Sequence, residues 1–180
     1  MKRLLVTSML SLACVMMGCG QGQPGEERLQ VESVAQACSV VYTSEAVIAG
    51  SVDRIWDTIV DLPRYSEWNP WVVKAEGKIE PGAAVTVDVI LNGQKMRAEH
   101  TVEAVDPKTH FCWRDAGWNA LFVSAHRCRT LTPRPDGTVL YQVDLELGRL
   151  AGVANALEGT ALQSGMNAET AALKTRVENP

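Results

Sequence analysis

Between Trp71 and Leu147, apolar and polar residues alternate with period two in six segments bounded by turn-forming residues. The segments are Trp71–Ala75, Val85–Leu91, Lys95–Val105, His110–Asp115, Leu121–Leu131 and Thr138–Leu147. Alternation at this period gives a strand one buried face, because successive side chains point to opposite sides of a sheet. The connections include Glu80-Pro81-Gly82, Asn92-Gly93, Asp106-Pro107 and Pro135-Asp136-Gly137. Loops this short join antiparallel neighbours, whereas parallel strands need a crossover of about a dozen residues or more. Asn92-Gly93 suits a type I′ hairpin, whose two central residues both take positive φ. The spacing predicts an antiparallel meander.

Helical patterns flank it. Tyr42–Ala49 is strand-like, and Ser51 then stands as a cap before Asp53 and the helically spaced Ile55, Trp56, Ile59 and Val60. Leu62-Pro63 ends that helix, Pro63 starts a second short one through Trp68, and Asn69-Pro70 stops it. Leu150–Val177 has no proline, is rich in Ala and Leu, and repeats apolar residues at Leu150, Val153, Leu157 and Ala161. One long C-terminal helix is expected there. Gly152, Gly159 and Gly165 each cost such a helix about 1 kcal/mol relative to alanine. They either leave room for something beneath the helix or mark a kink or fraying.

At the N-terminus, Lys2 and Arg3 precede the uncharged apolar run Leu4–Met17, the layout of an export signal. Roughly 14 residues falls short of the ~20 that an apolar helix needs to span a bilayer, so no permanent transmembrane helix is expected. The run ends in Met16-Met17-Gly18-Cys19, which resembles the lipobox of bacterial lipoproteins, although Met16 stands where that motif usually has leucine. An ordinary secretory signal cut near Ala13 or Gly20 is the alternative. The lipobox reading makes residues 1–18 a signal peptide, Cys19 the lipidated anchor, 19–37 a tether and 38–180 the globular domain. Membrane attachment through Cys19 then places the protein in the cell envelope. Gly20 rather than aspartate after the cysteine favours the outer membrane over the inner. If flexible, residues 20–37 span on the order of 25 Å.

Loss of Lys2 and Arg3 with the signal takes the net charge from −4 to −6, a poor surface for nucleic acid. Cys38, Cys112 and Cys128 remain in the domain, an odd number that cannot all pair internally. Export permits a disulfide, but strand alternation puts Cys112 and Cys128 on opposite faces.

Taking the more apolar side of each strand as inward, Val85, Val87, Val89 and Leu91 share the inner face with Met96, Ala98, His100 and Val102. Phe111 and Trp113 follow, then His126 and Cys128, then Val139, Tyr141, Val143 and Leu145. Arg127, Arg129, Asp144 and Glu146 are expected outside as a solvated charge lattice. The inner wall is thus apolar with polar tips at His100, His126 and Tyr141, the form of a small-molecule site. Trp68 and Trp71 flank the Asn69-Pro70 turn, where they could meet a ligand or staple the short helices to the sheet. Trp118 lies in a loop and could form an exposed lip. No G-x-S-x-G elbow, phosphate loop, dinucleotide fingerprint or H-E-x-x-H is present, so no cofactor or metal is expected.

The element order makes an α+β helix-grip layout: a curved antiparallel sheet of about seven strands around a long C-terminal helix, with two short helices after the first strand. Ile55-Trp56-Asp57, Asp61-Leu62-Pro63-Arg64-Tyr65, Trp68-Asn69-Pro70-Trp71 and Glu76-Gly77 resemble the opening of the START-like superfamily, in its polyketide cyclase/dehydrase and lipid-transport branch. Trp113, His126, Gly137 and Gly148 extend the resemblance, which covers residues 42–176. It implies an apolar cavity between sheet and helix that takes a hydrophobic small molecule; taken with the anchor motif at Cys19, the reading is an envelope carrier or sensor of a lipid-like or polycyclic molecule. The candidate ligand-binding residues are His100, Trp113, His126, Tyr141, Trp68 and Trp71. The rival readings are a cyclase or dehydratase using His126 and Tyr141 as acid and base, and a protein-interaction module whose partner the sequence does not name.

Overall fold

The computed structural model describes residues 39–117, 124–148 and 151–179, apart from the side chains of 152 and 153. The signal, Cys19, the tether, Cys38 and Trp118 lie outside the described residues, as does the first part of the segment expected to begin at Leu121. No helix among the described residues is long and apolar enough to cross a membrane.

Seven strands form one antiparallel sheet: β1 (Val40–Ile48), β2 (Val72–Gly77), β3 (Ala84–Leu91), β4 (Gln94–Asp106), β5 (His110–Ala116), β6 (Ala125–Pro133) and β7 (Val139–Leu147). Their order across the sheet is β1-β7-β6-β5-β4-β3-β2, so the meander runs unbroken from β2 to β7 and β1 joins its far side. Between β1 and β2 lie helix α1 (Val52–Val60) and a 3-10 helix (Leu62–Glu67), and α2 (Ala151–Glu178) follows β7. The sheet curls into a half-barrel around α2. The expected fold class and element order are those found.

Local chemistry sets each element. The Ser51 hydroxyl oxygen accepts from Arg54 N at 3.2 Å and caps α1, whose Ile55, Trp56 and Ile59 are buried. Tyr65 on the 3-10 helix donates its hydroxyl to the Ile59 carbonyl at 2.6 Å, tying the two short helices together. Asn92 and Gly93 both have positive φ, 49° and 74°, as the tight β3–β4 hairpin requires.

The edge strand β1 is covered by α2. Gln163 donates to the Thr43 carbonyl at 3.0 Å, Lys174 to the Val47 carbonyl, and Glu178 accepts from Ala49 N at 2.8 Å. These bonds occupy backbone groups that an open edge would offer to another chain. The buried face of α2 carries Met166, Glu169, Thr170, Leu173 and Val177, spaced at three and four residues as one helix face demands. Full burial of each large apolar side chain contributes about 1.5–3 kcal/mol.

The helix glycines mark close approach. A Cβ on Gly165 would lie 2.4–2.6 Å from atoms of the Trp71 ring, and one on Gly159 would lie 2.8 Å from the Tyr42 hydroxyl. Of the two readings of these glycines, room for a side chain beneath the helix holds at both positions.

Strand β6 departs from expectation. Arg127 and Arg129 are buried, and they share the inner face with Ala125 and Leu131. Opposite them on β7 stand Leu145, Val143 and Tyr141, all inward as expected. The expected charge lattice therefore survives only at Asp144, which accepts from Thr43 and Gln142, and at the exposed Glu146. His126 and Cys128 take the outer face. Cys112 pairs directly with Cys128 across β5 and β6, and the two form a disulfide with their Cα atoms 4.1 Å apart. The expectation of opposite faces fails because the polar side of β6, not its apolar side, turns inward.

Two outcomes follow for stability. Gly165→Ala should lower thermal stability by a net ~1–2 kcal/mol, because overpacking against Trp71 outweighs the gain in helix propensity. Replacing Cys112 and Cys128 together by serine should cost about 3 kcal/mol in chemical denaturation, as expected for opening a loop with sequence separation 16.

Candidate functional site

A cavity of about 350 Å³ lies between the sheet and the N-terminal half of α2, within the roughly 300–1,000 Å³ of small-molecule sites. Val87, Val89, Ala98, Leu145, Leu147 and Leu162 are among the residues of its apolar wall. Met96 lines it yet is 46% exposed, so the cavity opens beside the β3–β4 hairpin. There Asn92 donates to the Glu158 carboxylate of α2, and Glu158 itself forms part of the rim.

Three candidates from the sequence line this cavity: Trp71, His100 and Trp113. Asn69 places Trp71, because its side-chain oxygen accepts from the backbone N–H groups of Trp71 (3.0 Å) and Val72 (2.8 Å). This turns the chain sharply into β2. His100 packs against Trp113 with ring centres 5.1 Å apart, and its Nε2 lies 3.4 Å from an oxygen of Asp115 on the same wall. Asp115 also accepts from Ala125 N at 3.2 Å.

The other candidates lie elsewhere. His126 sits on the outer face with its side chain 42% exposed and its Nε2 2.9 Å from Glu103. Glu103 occupies a bulge in β4, where the register against β5 shifts between Val102 and Ala104. His126 also lies with Cys112 and Cys128 in a group of three possible metal ligands, but the disulfide occupies both sulfurs. Tyr141 is fully buried and does not line the cavity; burial pushes its hydroxyl up to about 12. Trp68 packs on Tyr65 with ring centres 5.0 Å apart and also stays off the cavity wall.

The sequence reading missed the buried ion set behind the cavity wall. Glu169 of α2 accepts from Arg127 Nη2 with one oxygen and from Arg129 Nη2 with the other, each at 2.9 Å. All three groups are almost fully enclosed. Arg127 lies over Trp71 at 4.7 Å from the ring centre, and Arg129 over Trp113 at 4.5 Å, so aromatic faces replace part of the water each guanidinium has lost. Burial alone would raise the Glu169 carboxyl, but Arg127 and then Arg129 outweigh it and hold it at about 2. Burial, then the charge of Arg129, pushes Arg127 down. One signal was available: Ala125 and Leu131 share the arginines' side of β6, and Glu169 lies on the apolar face of the final helix.

Removing one partner from such a set leaves a buried charge uncompensated. Glu169→Gln should therefore lower the free energy of unfolding by about 3–5 kcal/mol in denaturant titrations.

The wall pair titrates in opposite senses. Burial, then Arg127 and Arg129, lowers His100 from 6.5 to about 4, while burial raises Asp115 from 3.8 to about 6. The stability linked to His100 is present above pH 6.5 and is lost as pH falls through about 4. That linked to Asp115 is present below 3.8 and is lost as pH rises through about 6. The two offset each other in the window between. Asp115→Asn should make stability fall more steeply from pH 6.5 to 4, and His100→Asn should do the reverse, as read by thermal melts across pH.

The fold has solved counterparts. A START superfamily protein from Mycobacterium smegmatis matches with a TM-score of 0.61 at 20% identity, covering 78% of this chain and 97% of that one. The Zhui aromatase/cyclase from a Streptomyces species matches with a TM-score of 0.67 at 14% identity, covering 78% and 94%. Ginseng major latex-like protein 151 from Panax ginseng matches at 0.66 and 12%, covering 79% and 99%. A comparison with curated proteins returned no significant match. The family described as Polyketide cyclase / dehydrase and lipid transport matches residues 38–178, and its fold is of the kind that binds hydrophobic small molecules. With that span and a half-barrel closed on a cavity by α2, the chain belongs to the polyketide cyclase/dehydrase and lipid transport family.

Proposed function

We propose that this protein is a non-catalytic carrier or sensor that shelters a lipid-like or polycyclic molecule, held at the cell envelope by a lipidated Cys19. The observation that carries the reading is the cavity under α2, whose wall is mostly aliphatic and whose polar groups are few. Displacing water from such a wall favours an apolar occupant by about 25 cal/mol per Å² removed from contact with water. Anchoring would keep the cavity within tether reach of a membrane, where lipophilic molecules are concentrated. The motif ending in Gly18-Cys19 motivates that part of the proposal.

Native mass spectrometry of the purified chain should detect a co-purifying hydrophobic molecule, and a hydrophobic library should raise its melting temperature. Ala98→Trp, which fills the cavity from β4, should abolish both effects while circular dichroism stays unchanged. A chain that carries nothing and shifts with nothing would sink the reading. Cys19→Ser should release the protein from the membrane fraction of expressing cells; unchanged membrane association would remove the anchor from the proposal.

One observation favours a second reading, an enzyme of the cyclase or dehydratase kind. His100 and Asp115 place a neutral imidazole beside a carboxylate on the cavity wall, the arrangement needed to move a proton at a bound ligand. The acid–base pair of that reading is then His100 with Asp115, since His126 faces outward and Tyr141 lies outside the cavity. His100→Ala would abolish turnover and spare binding in an enzyme, but alter binding alone in a carrier. An interaction module with a filled interior finds no support in a cavity of this size.

A further inference from the structure

The buried ion set behind the cavity wall, which reaches the cavity only through Arg127, carries more positive than negative charge. Two guanidiniums share the single carboxylate of Glu169, and both oxygens of that carboxylate are already engaged. Among the described residues no other acid pairs with either arginine. Arg127 Nε and the Nε and Nη1 of Arg129 are buried without a hydrogen-bond partner, and so is the indole N–H of the cavity-lining Trp113. An excess buried cation with unused donors is costly unless something answers it. Arg129 is sealed beneath Trp113 and Phe111, whereas Arg127 forms part of the cavity wall.

We infer that Arg127 is the seat for the acidic group of an amphipathic ligand, an apolar chain or ring system bearing a carboxylate. The inference rests on the cavity reading and adds the ligand's charge and orientation. A carboxylate drawn to Arg127 supplies the missing negative charge and accepts charge-assisted hydrogen bonds from a planar donor group suited to it. The other acids of the cavity set the direction of entry. Glu158 stands at the rim and Asp115 on the β5 wall, so an anionic group is repelled at both and favoured only at Arg127. The acid end enters first, and the apolar body lies against Val87, Val89 and Ala98 toward Met96 at the opening.

The test compares decanoate with its uncharged analogue, methyl decanoate, by calorimetric titration of the full-length chain at neutral pH. Wild type should bind the acid about tenfold or more tightly than the ester, the margin of a charge-assisted hydrogen bond. Arg127→Met should erase that preference by weakening the acid and leaving the ester unchanged or tighter. Asp115→Asn leaves Arg127 intact and should strengthen decanoate binding more than ester binding, so it tests the proposal even where the arginine variant does not fold. Equal affinity of wild type for acid and ester would overturn the anionic seat and leave the hydrophobic cavity standing. Failure of both ligands to bind would overturn the cavity reading and the seat together.

Discussion

The two hydrogen bonds that Glu169 accepts from Arg127 and Arg129 join the long helix to the middle of the sheet, and most of the interior is arranged around them. Bringing three charges out of water costs several kcal/mol per ion before any attraction is counted. The attraction repays this only where geometry is good and neighbours assist. Here each guanidinium meets an aromatic face and each oxygen of Glu169 meets one N–H. Such a set is a weak source of net stability compared with apolar packing, but it specifies position. Sliding α2 by one turn along the sheet would leave both arginines buried and unmatched.

That fixed point divides the helix into two regimes. Near Glu169 and beyond it, Met166, Leu173 and Val177 are buried, and Gly165 lets the backbone come down onto Trp71. Toward the N-terminal end, Ala154, Glu158 and Leu162 stand back from β3, β4 and β7 and enclose open space instead. A close-packed interior tolerates a void of this size only where the surrounding structure cannot collapse into it. The tight contact of Gly165 on Trp71 midway along α2 and the tie between Asn92 and Glu158 nearer its start fix how far the helix stands from the sheet. The cavity thus follows from where the helix is pinned.

How much of this was legible in the sequence depended on whether a local rule decided the matter. Asn92-Gly93, Ser51 and the period-two runs predicted the hairpin, the first helix and the sheet, because turn chemistry and alternation act over a few residues. His100 and Trp113 were assigned to the inner face and do line the cavity, whereas for Trp71 ligand contact and stapling had both stayed open. Strand β6 was assigned the wrong way round, because ranking its faces by hydrophobicity weighs His126 and Cys128 against Arg127 and Arg129 without sight of Glu169, forty residues away in the chain. A buried ion set inverts the rule that charge faces water, and only the partner reveals the inversion. Asp115 was missed for a related reason: its meaning comes from His100 on the neighbouring strand.

The disulfide on the outer face has a consequence for how this sheet finds its pairing. A strand carrying arginines on one side and histidine and cysteine on the other has no strong apolar bias to choose between them, and a slip of one residue would exchange the two sides. Slipped, β6 would present Arg127 and Arg129 to solvent and strip the helix of its partner. A covalent link between residues directly opposite each other, Cys112 and Cys128, is compatible with one alignment alone. The bond therefore acts as a ratchet on strand alignment: once it closes outside, the charges inside have nowhere else to go.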